Sequence, residues 1–316
     1  MKYYLGIDLG GTNIVAGVVD EQYKIIQKSE RPTQLKRSYE EIVADMAATA
    51  IDALTATGLT RTDVSYVGIG VPSTINPITQ QVVFANNLGW KNKDLVSEFQ
   101  KSWNIKVCVG NDADCAALGE CYVGAGRDYD NIIMITLGTG VGGGIVLNKK
   151  VFLGGDNIGV EPGHTVLVHD GFPCTCGQKG CLEAYASVTA LIRQSIDAML
   201  VYPHSLMWEE CGYDLNKVEG RTSINAARRD DPAAKEVVEQ YINYLASGLG
   251  SMVTILRPQA LVIGGGLSNA GEFLLQPLRE KVATSIYAPD IMGCPPVIRA
   301  ELGNDAGIIG AAVVGL

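Results

Sequence analysis

Apolar and β-branched runs alternate with short polar turns from the start of the chain. YYLGID, NIVAGVVD and KIIQKSE read as three consecutive strands. Gly10-Gly11-Thr12-Asn13 between the first two is a hairpin signal. The period then changes to that of an amphipathic helix over roughly Tyr39 to Thr57. VSYVGIGV predicts a buried strand, NKDLVSEFQKSW a helix, KVCVG a strand and DADCAALGECYVG another helix. At Asn131 the pattern starts again. NIIMITLG is a strand, Gly138 to Gly144 a glycine-rich turn, and GIVLNKKVFLG returns as strands. A long helix follows over Ala233 to Leu256, then a strand at ALVIGGG, a helix over Glu272 to Ile286, a strand at PVIRAEL and a helix from Asp305. The order β-β-β-α-β-α therefore occurs twice without a sequence repeat, which predicts an α/β protein of two halves. We place one half at 1–110 plus 304–316 and the other at 111–303. No linker rich in Pro, Ser or charge separates them, so they are expected to pack across a cleft.

Composition narrows the class. The chain has 316 residues, 47% hydrophobic and 19% charged, which fits a globular protein with a sizeable core. The net charge of −9 and the absence of a basic run argue against nucleic-acid binding. MKYYLGIDLGG meets Asp8 before any apolar stretch long enough for a secretory leader. No apolar run approaches the ~18 residues of a membrane span, and AGIIGAAVVGL reads as a buried helix. A cytoplasmic chain with reduced thiols is expected, so the 8 cysteines do not imply disulfides.

Three of those cysteines are clustered. His164, Cys174, Cys176 and Cys181 lie within EPGHTVLVHDGFPCTCGQKGC, and three thiolates with one imidazole form the ligand set of a closed, structural zinc site. Gly177 and Gly180 suit a knuckle that aims successive sulfurs at one point. Glu161 and Glu183 flank the cluster, so the metal reads as a clip holding carboxylates near something they bind. Cys108, Cys115, Cys121, Cys211 and Cys294 are scattered and read as small buried residues.

Gly138, Gly140 and Gly143 formally satisfy G-x-G-x-x-G. The dinucleotide motif needs a helix after it, and here a β-branched run follows. No G-x-x-x-x-G-K-[ST] occurs. IDLGGTN and ITLGTGVGGG instead read as paired phosphate-binding hairpins in equivalent places of the two halves. Gly10, Gly11, Thr12 and Asn13 in one, with Gly138, Thr139 and Gly140 in the other, offer amides and hydroxyls to a triphosphate. Asp8 is placed to hold Mg²⁺ through water. Gly265 and Gly266, after the strand ALVI, would let a flat ring such as adenine approach the backbone. Asn111 or Asp112 opens a helix as an N-cap; alternatively, Asp112 accepts a proton from a substrate hydroxyl during phosphoryl transfer.

Taken in order, IDLGGTN, NDAD, LGTGVGGG, EPGH, CTCGQKGCLE, IGGGLSNAGEFLLQPLR and LGNDAGIIGAA resemble the ROK family (repressors, open reading frames and kinases) from Lys2 onward. The resemblance implies an actin-like ATPase (ribonuclease H-like) fold and sugar phosphorylation with ATP and Mg²⁺. It implies that Asp112 is the catalytic base and that Asn111, Glu161, His164 and Glu183 bind the sugar. His164 would give one ring nitrogen to zinc and the other to a sugar hydroxyl. The CxCGxxGC pattern is similar to the family's bacterial glucokinases, which implies glucose as substrate and a homodimer or homotetramer. Ser73, Asp114 and Pro162 depart from the usual GVPG, NDAN and E-x-G-H patterns, and Ser73 bears on the choice of hexose. Mannose, N-acetylglucosamine or N-acetylmannosamine are the alternative substrates. A sugar-responsive repressor would need a helix-turn-helix segment before Leu5, and a non-catalytic sensor would not need Asp112. His169 and His204 match nothing and read as surface residues.

Overall fold

The opening strands form a sheet because their alternate and fully apolar positions bury against two helices. The computed structural model describes residues 2–76 and 78–316. Along the chain, β1 (Tyr3–Leu9), β2 (Asn13–Val19) and β3 (Ile25–Pro32) lead to α1 (Tyr39–Thr55), then β4 (Val64–Val71). Three short strands follow, β5 (Thr74–Ile75), β6 (Val82–Ala85) and β7 (Trp90–Lys93), before α2 (Leu95–Gln100), β8 (Val107–Asn111) and α3 (Asp112–Tyr122). Next come β9 (Ile132–Leu137), β10 (Val141–Leu147) and β11 (Lys150–Val151). The helices α4 (Glu183–Ala186), α5 (Val188–Val201), α6 (Met207–Glu210), α7 (Gly220–Arg228) and α8 (Pro232–Leu256) precede β12 (Ala260–Gly264). The chain continues with α9 (Glu272–Thr284), α10 (Pro289–Met292), β13 (Val297–Arg299) and α11 (Asp305–Val313).

The duplicated order seen in the sequence is present in the sheets. The first has the order β3-β2-β1-β4-β8 and the second β11-β10-β9-β12-β13. In the first, β1 pairs antiparallel with β2 and parallel with β4, and β4 pairs parallel with β8. In the second, β10 pairs antiparallel with β11, and β12 parallel with β13. The sequence reading did not anticipate the three-stranded sheet β5-β6-β7. Its strands are two to four residues long and half exposed, too short for a period to register.

Two compact units result. One comprises Met1–Ile133, Gly144–Val160 and Glu301–Leu316; the other comprises Met134–Gly143 and Glu161–Ala300. In the first, α1 covers one face of the sheet through Ile42, Val43, Met46 and Ala50, all buried. Its start is fixed by a capping box, Ser38 with Glu41. The other face receives α11, which also packs on α3. That contact is backbone to backbone. A Cβ at Gly310 would lie 1.5 Å from the Cys115 carbonyl oxygen, and one at Gly119 would lie 2.4 Å from that of Ala306. Glu120, fully buried, ties the same region together by accepting the amides of Ala125, Glu301 and Leu302 at 2.8, 3.1 and 2.8 Å. No helix among the described residues is long and apolar enough to cross a membrane.

Candidate active site

In the first unit the turn after β1 is held from behind by Thr33. Gly10 N–H closes the hairpin on Asn13 O at 2.9 Å, Thr33 N–H donates to Thr12 O at 2.8 Å and Thr33 Oγ1 to Gly10 O at 2.7 Å. Thr33 is fully buried, whereas Gly11, Thr12 and Asn13 are exposed. The carbonyl edge of the turn is thus fixed and its tip is open to a ligand. Asp8 lies one residue before the end of β1. Burial, with the charge of Asp112 second, pushes its carboxyl up to about 6.

The start of α3 resolves the capping question. Asn111 is the N-cap, its Oδ1 accepting the amides of Ala113 at 2.8 Å and Asp114 at 3.1 Å, while its Nδ2 donates to Ser73 O at 3.1 Å. Asp112 is the first helical residue, with Oδ1 on the Ala113 amide at 2.9 Å. Burial raises its carboxyl above the ordinary range, opposed by hydrogen bonds from its own and the Ala113 amide. Asn111 therefore does the capping, and Asp112 stands beside it at the first helical position. Ser73 is 8% exposed and turns its hydroxyl toward Val71 O at 3.4 Å.

In the second unit the His164 and cysteine ligands come together. One ligand atom from each of His164, Cys174, Cys176 and Cys181 lies within 4.8 Å of all the others. Cys174 Sγ is 3.4 Å from His164 Nδ1, and Cys176 Sγ is 3.7 Å from Cys181 Sγ. The knuckle between them bends at Gly177 and Gly180, whose φ values are +92° and +79°. Cys174 N–H donates to Gln178 O at 2.8 Å and Gly180 N–H to Phe172 O at 2.8 Å. Burial, with the neighbouring thiols, pushes Cys181 up to about 12, whereas the Gln178 amide draws Cys176 below its ordinary value. Ionising all three sulfurs in so small a space calls for a cation, and the donor set suits zinc.

Glu161 is exposed and precedes the short turn Pro162–His164. Glu183 begins α4; its Oε1 accepts Thr175 Oγ1 at 2.8 Å and its Oε2 the Val141 amide at 3.1 Å. The second glycine hairpin is tight at Gly138 and Gly140, where Gly138 N–H reaches Gly140 O at 3.0 Å. The expected turn is shorter than Gly138 to Gly144: β10 already begins at Val141. Gly138, Thr139 and Gly266 line a pocket of 700 Å³ together with Arg221, Asn225 and Arg228. Gly265, at φ +80°, sits against Leu137 and is not part of that lining. His169 is exposed beside Asp170, and His204 is exposed.

The ROK family model matches residues 4–315. The chain belongs to the ROK family. It is 38% identical to a glucokinase of Thermotoga maritima over 98% of this chain and 96% of the relative, and 34% identical to a glucokinase of Streptomyces coelicolor over 99% and 97%. A ROK family glucokinase from Streptomyces griseus, solved with glucose and AMPPNP, is similar at 34% identity and a TM-score of 0.83, covering 99% of this chain and 98% of that one. The actin-like ATPase fold expected of a ROK protein is the fold this chain has.

Several residues at these ROK motifs were not visible from sequence. Thr33, the pin of the first hairpin, lies more than twenty residues from its partners. Arg221, Asn225 and Arg228 line the 700 Å³ pocket from α7 and read as an ordinary polar helix face. One consequence can be tested through stability. Folded Asp8 keeps its proton up to about 6, against 3.8 for the free side chain. Between those values the folded state binds more protons than the unfolded chain, so stability falls as pH rises through that window. Asp8→Asn is therefore expected to stabilise the fold at pH 7.5 by about 1–3 kcal/mol, with no gain below pH ~3.5. Thermal melts at the two pH values measure this; an equal gain at both would refute it.

Proposed function

We infer that this chain is an ATP-dependent hexose kinase that phosphorylates glucose to glucose 6-phosphate. The observation that carries the reading is the start of α3. There Asp112 has Oδ1 fixed by the helix amide and a carboxyl that burial raises above its ordinary value, which supports a general base. In this reading the sugar hydroxyl gives its proton to Asp112, its oxygen attacks the γ-phosphorus of ATP, and ADP leaves. Asn111, Glu161, His164 and Glu183 bind the sugar. His164 faces the sulfurs through Nδ1, so its Nε2 serves a sugar hydroxyl. The hairpins at Gly10–Asn13 and Gly138–Gly140 take the phosphates, and the pocket at Gly266 and α7 takes adenosine. Mg²⁺, held near Asp8 through water, would supply charge neutralisation on the phosphates.

The four-ligand site is structural zinc in this account, since four protein ligands leave no position for water or substrate. The Ser73 hydroxyl turns back toward Val71 O, which supports glucose despite the departure at that position. The assembly proposed is a homodimer or homotetramer in the cytoplasm. The test is ADP release from MgATP by zinc-loaded protein offered glucose, mannose, N-acetylglucosamine and N-acetylmannosamine. Turnover selective for glucose is expected. Turnover with only another of these sugars would move the substrate, and none at all would overturn the kinase reading.

A further inference from the structure

The two glycine hairpins are pinned alike but from different places. In the first, a backbone amide and a threonine hydroxyl, both of Thr33, take the carbonyls of Thr12 and Gly10. In the second, the Val188 amide takes Gly138 O at 2.9 Å and Thr189 Oγ1 takes Thr139 O at 2.7 Å. Thr33 is carried by the strand β3 side of its own hairpin. Val188 and Thr189 begin α5, only a few residues beyond the last metal-binding cysteine, Cys181.

The segment from Cys181 to Thr189 is itself fastened to the knuckle. Leu182 N–H donates to Thr165 O at 2.9 Å, and Thr175 Oγ1 holds Glu183. Tyr185 Oη accepts the Phe172 amide at 2.8 Å, two residues before Cys174. Near its start the segment takes the Val141 amide of β10 on Glu183 Oε2, and at its far end it meets the hairpin twice, through the Val188 amide and Thr189 Oγ1. We propose that residues 181–189 are a strut by which the metal knuckle sets the geometry of the second phosphate hairpin, with Thr189 as its positioning residue for the nucleotide. The metal then organises the phosphate side of the reaction as well as the sugar side. The proposal rests on the kinase reading above.

Thr189 is exposed at the second position of α5, so an isosteric valine removes the hydroxyl without a packing defect. Thr189→Val is expected to raise the KM for MgATP and the Kd for MgAMPPNP about 3–10-fold, the range of one hydrogen bond. The KM for glucose, the zinc content and the melting temperature should stay as in the unmodified protein, and Thr189→Ser should restore nucleotide affinity. Removal of the metal with a chelator should weaken MgAMPPNP binding measured by calorimetry on protein that remains folded. Unchanged nucleotide affinity in Thr189→Val, or metal-free folded protein that binds MgAMPPNP normally, would overturn the strut. Unmodified protein that fails to bind MgAMPPNP at all would instead overturn the kinase reading.

Discussion

Asp112→Asn should bind glucose and MgATP within about threefold of the unmodified protein and lose about 10²- to 10⁴-fold in kcat, the span of a positioned general base. The amide keeps the shape, and its oxygen can still accept the Ala113 amide that now fixes Oδ1. It cannot accept the substrate proton. Because Asn111 rather than Asp112 caps α3, the helix start survives the substitution, and the loss is chemical rather than structural. Steady-state kinetics with a calorimetric sugar titration separates the two. A variant that turns over near normally would remove Asp112 as the base. One that fails to bind sugar would make it a binding residue instead. In the unmodified protein the acid limb of kcat should rise with pH as the buried carboxylates lose their protons, since burial holds both Asp8 and Asp112 above the ordinary range.

Cys176→Ala should release the metal and raise the KM for glucose by about 10²-fold or more. Cys176 is exposed and meets the other three cluster residues at its sulfur, so little core is lost with it. What is lost is the tie that closes the loop. Glu161, His164 and Glu183 all sit on segments leading into or out of that knuckle, and misplacement of binding groups by about 1 Å is enough for a 10²-fold loss. With three ligands and no cation, the remaining thiols would re-protonate, as the elevated Cys181 requires. Zinc per chain and sugar affinity should fall together. A zinc-free variant with an ordinary KM would show that the metal does not organise the sugar site.

The alternation of strands and helices was legible because long apolar runs such as VSYVGIGV and ALVIG can only be buried strands at those lengths. The paired hairpins were legible for a local reason too: a tight turn and an open backbone both demand glycine. The knuckle was readable because its thiols and imidazole, at short spacing around two turn glycines, can only converge. The end of the second turn was misjudged. Gly144 looks like turn glycine but lies in β10, where a Cβ would come within 2.7 Å of the Ala117 Cβ. Glycine there serves close packing on α3, a demand set by a distant element. Thr33 and Thr189 escaped for the same reason, since each answers a carbonyl far away in sequence. The pocket-lining residues of α7 carry no motif. They are polar helical residues that acquire meaning only when Gly266 is brought beside them.

The unit that contains Asp112 is assembled from three separated stretches of chain, and its last stretch includes α11. Until Asp305–Val313 has been synthesised, the face of β1 and β4 that α11 covers has no partner, and the close seat on α3 at Gly119 and Gly310 is empty. During translation the opening sheet is expected to lack that cover while more than half of the chain is made. The other unit is built from Met134–Gly143 and the uninterrupted stretch Glu161–Ala300. Chaperone demand during synthesis is therefore expected to fall on the nascent N-terminal sheet, whose closing helix is made last.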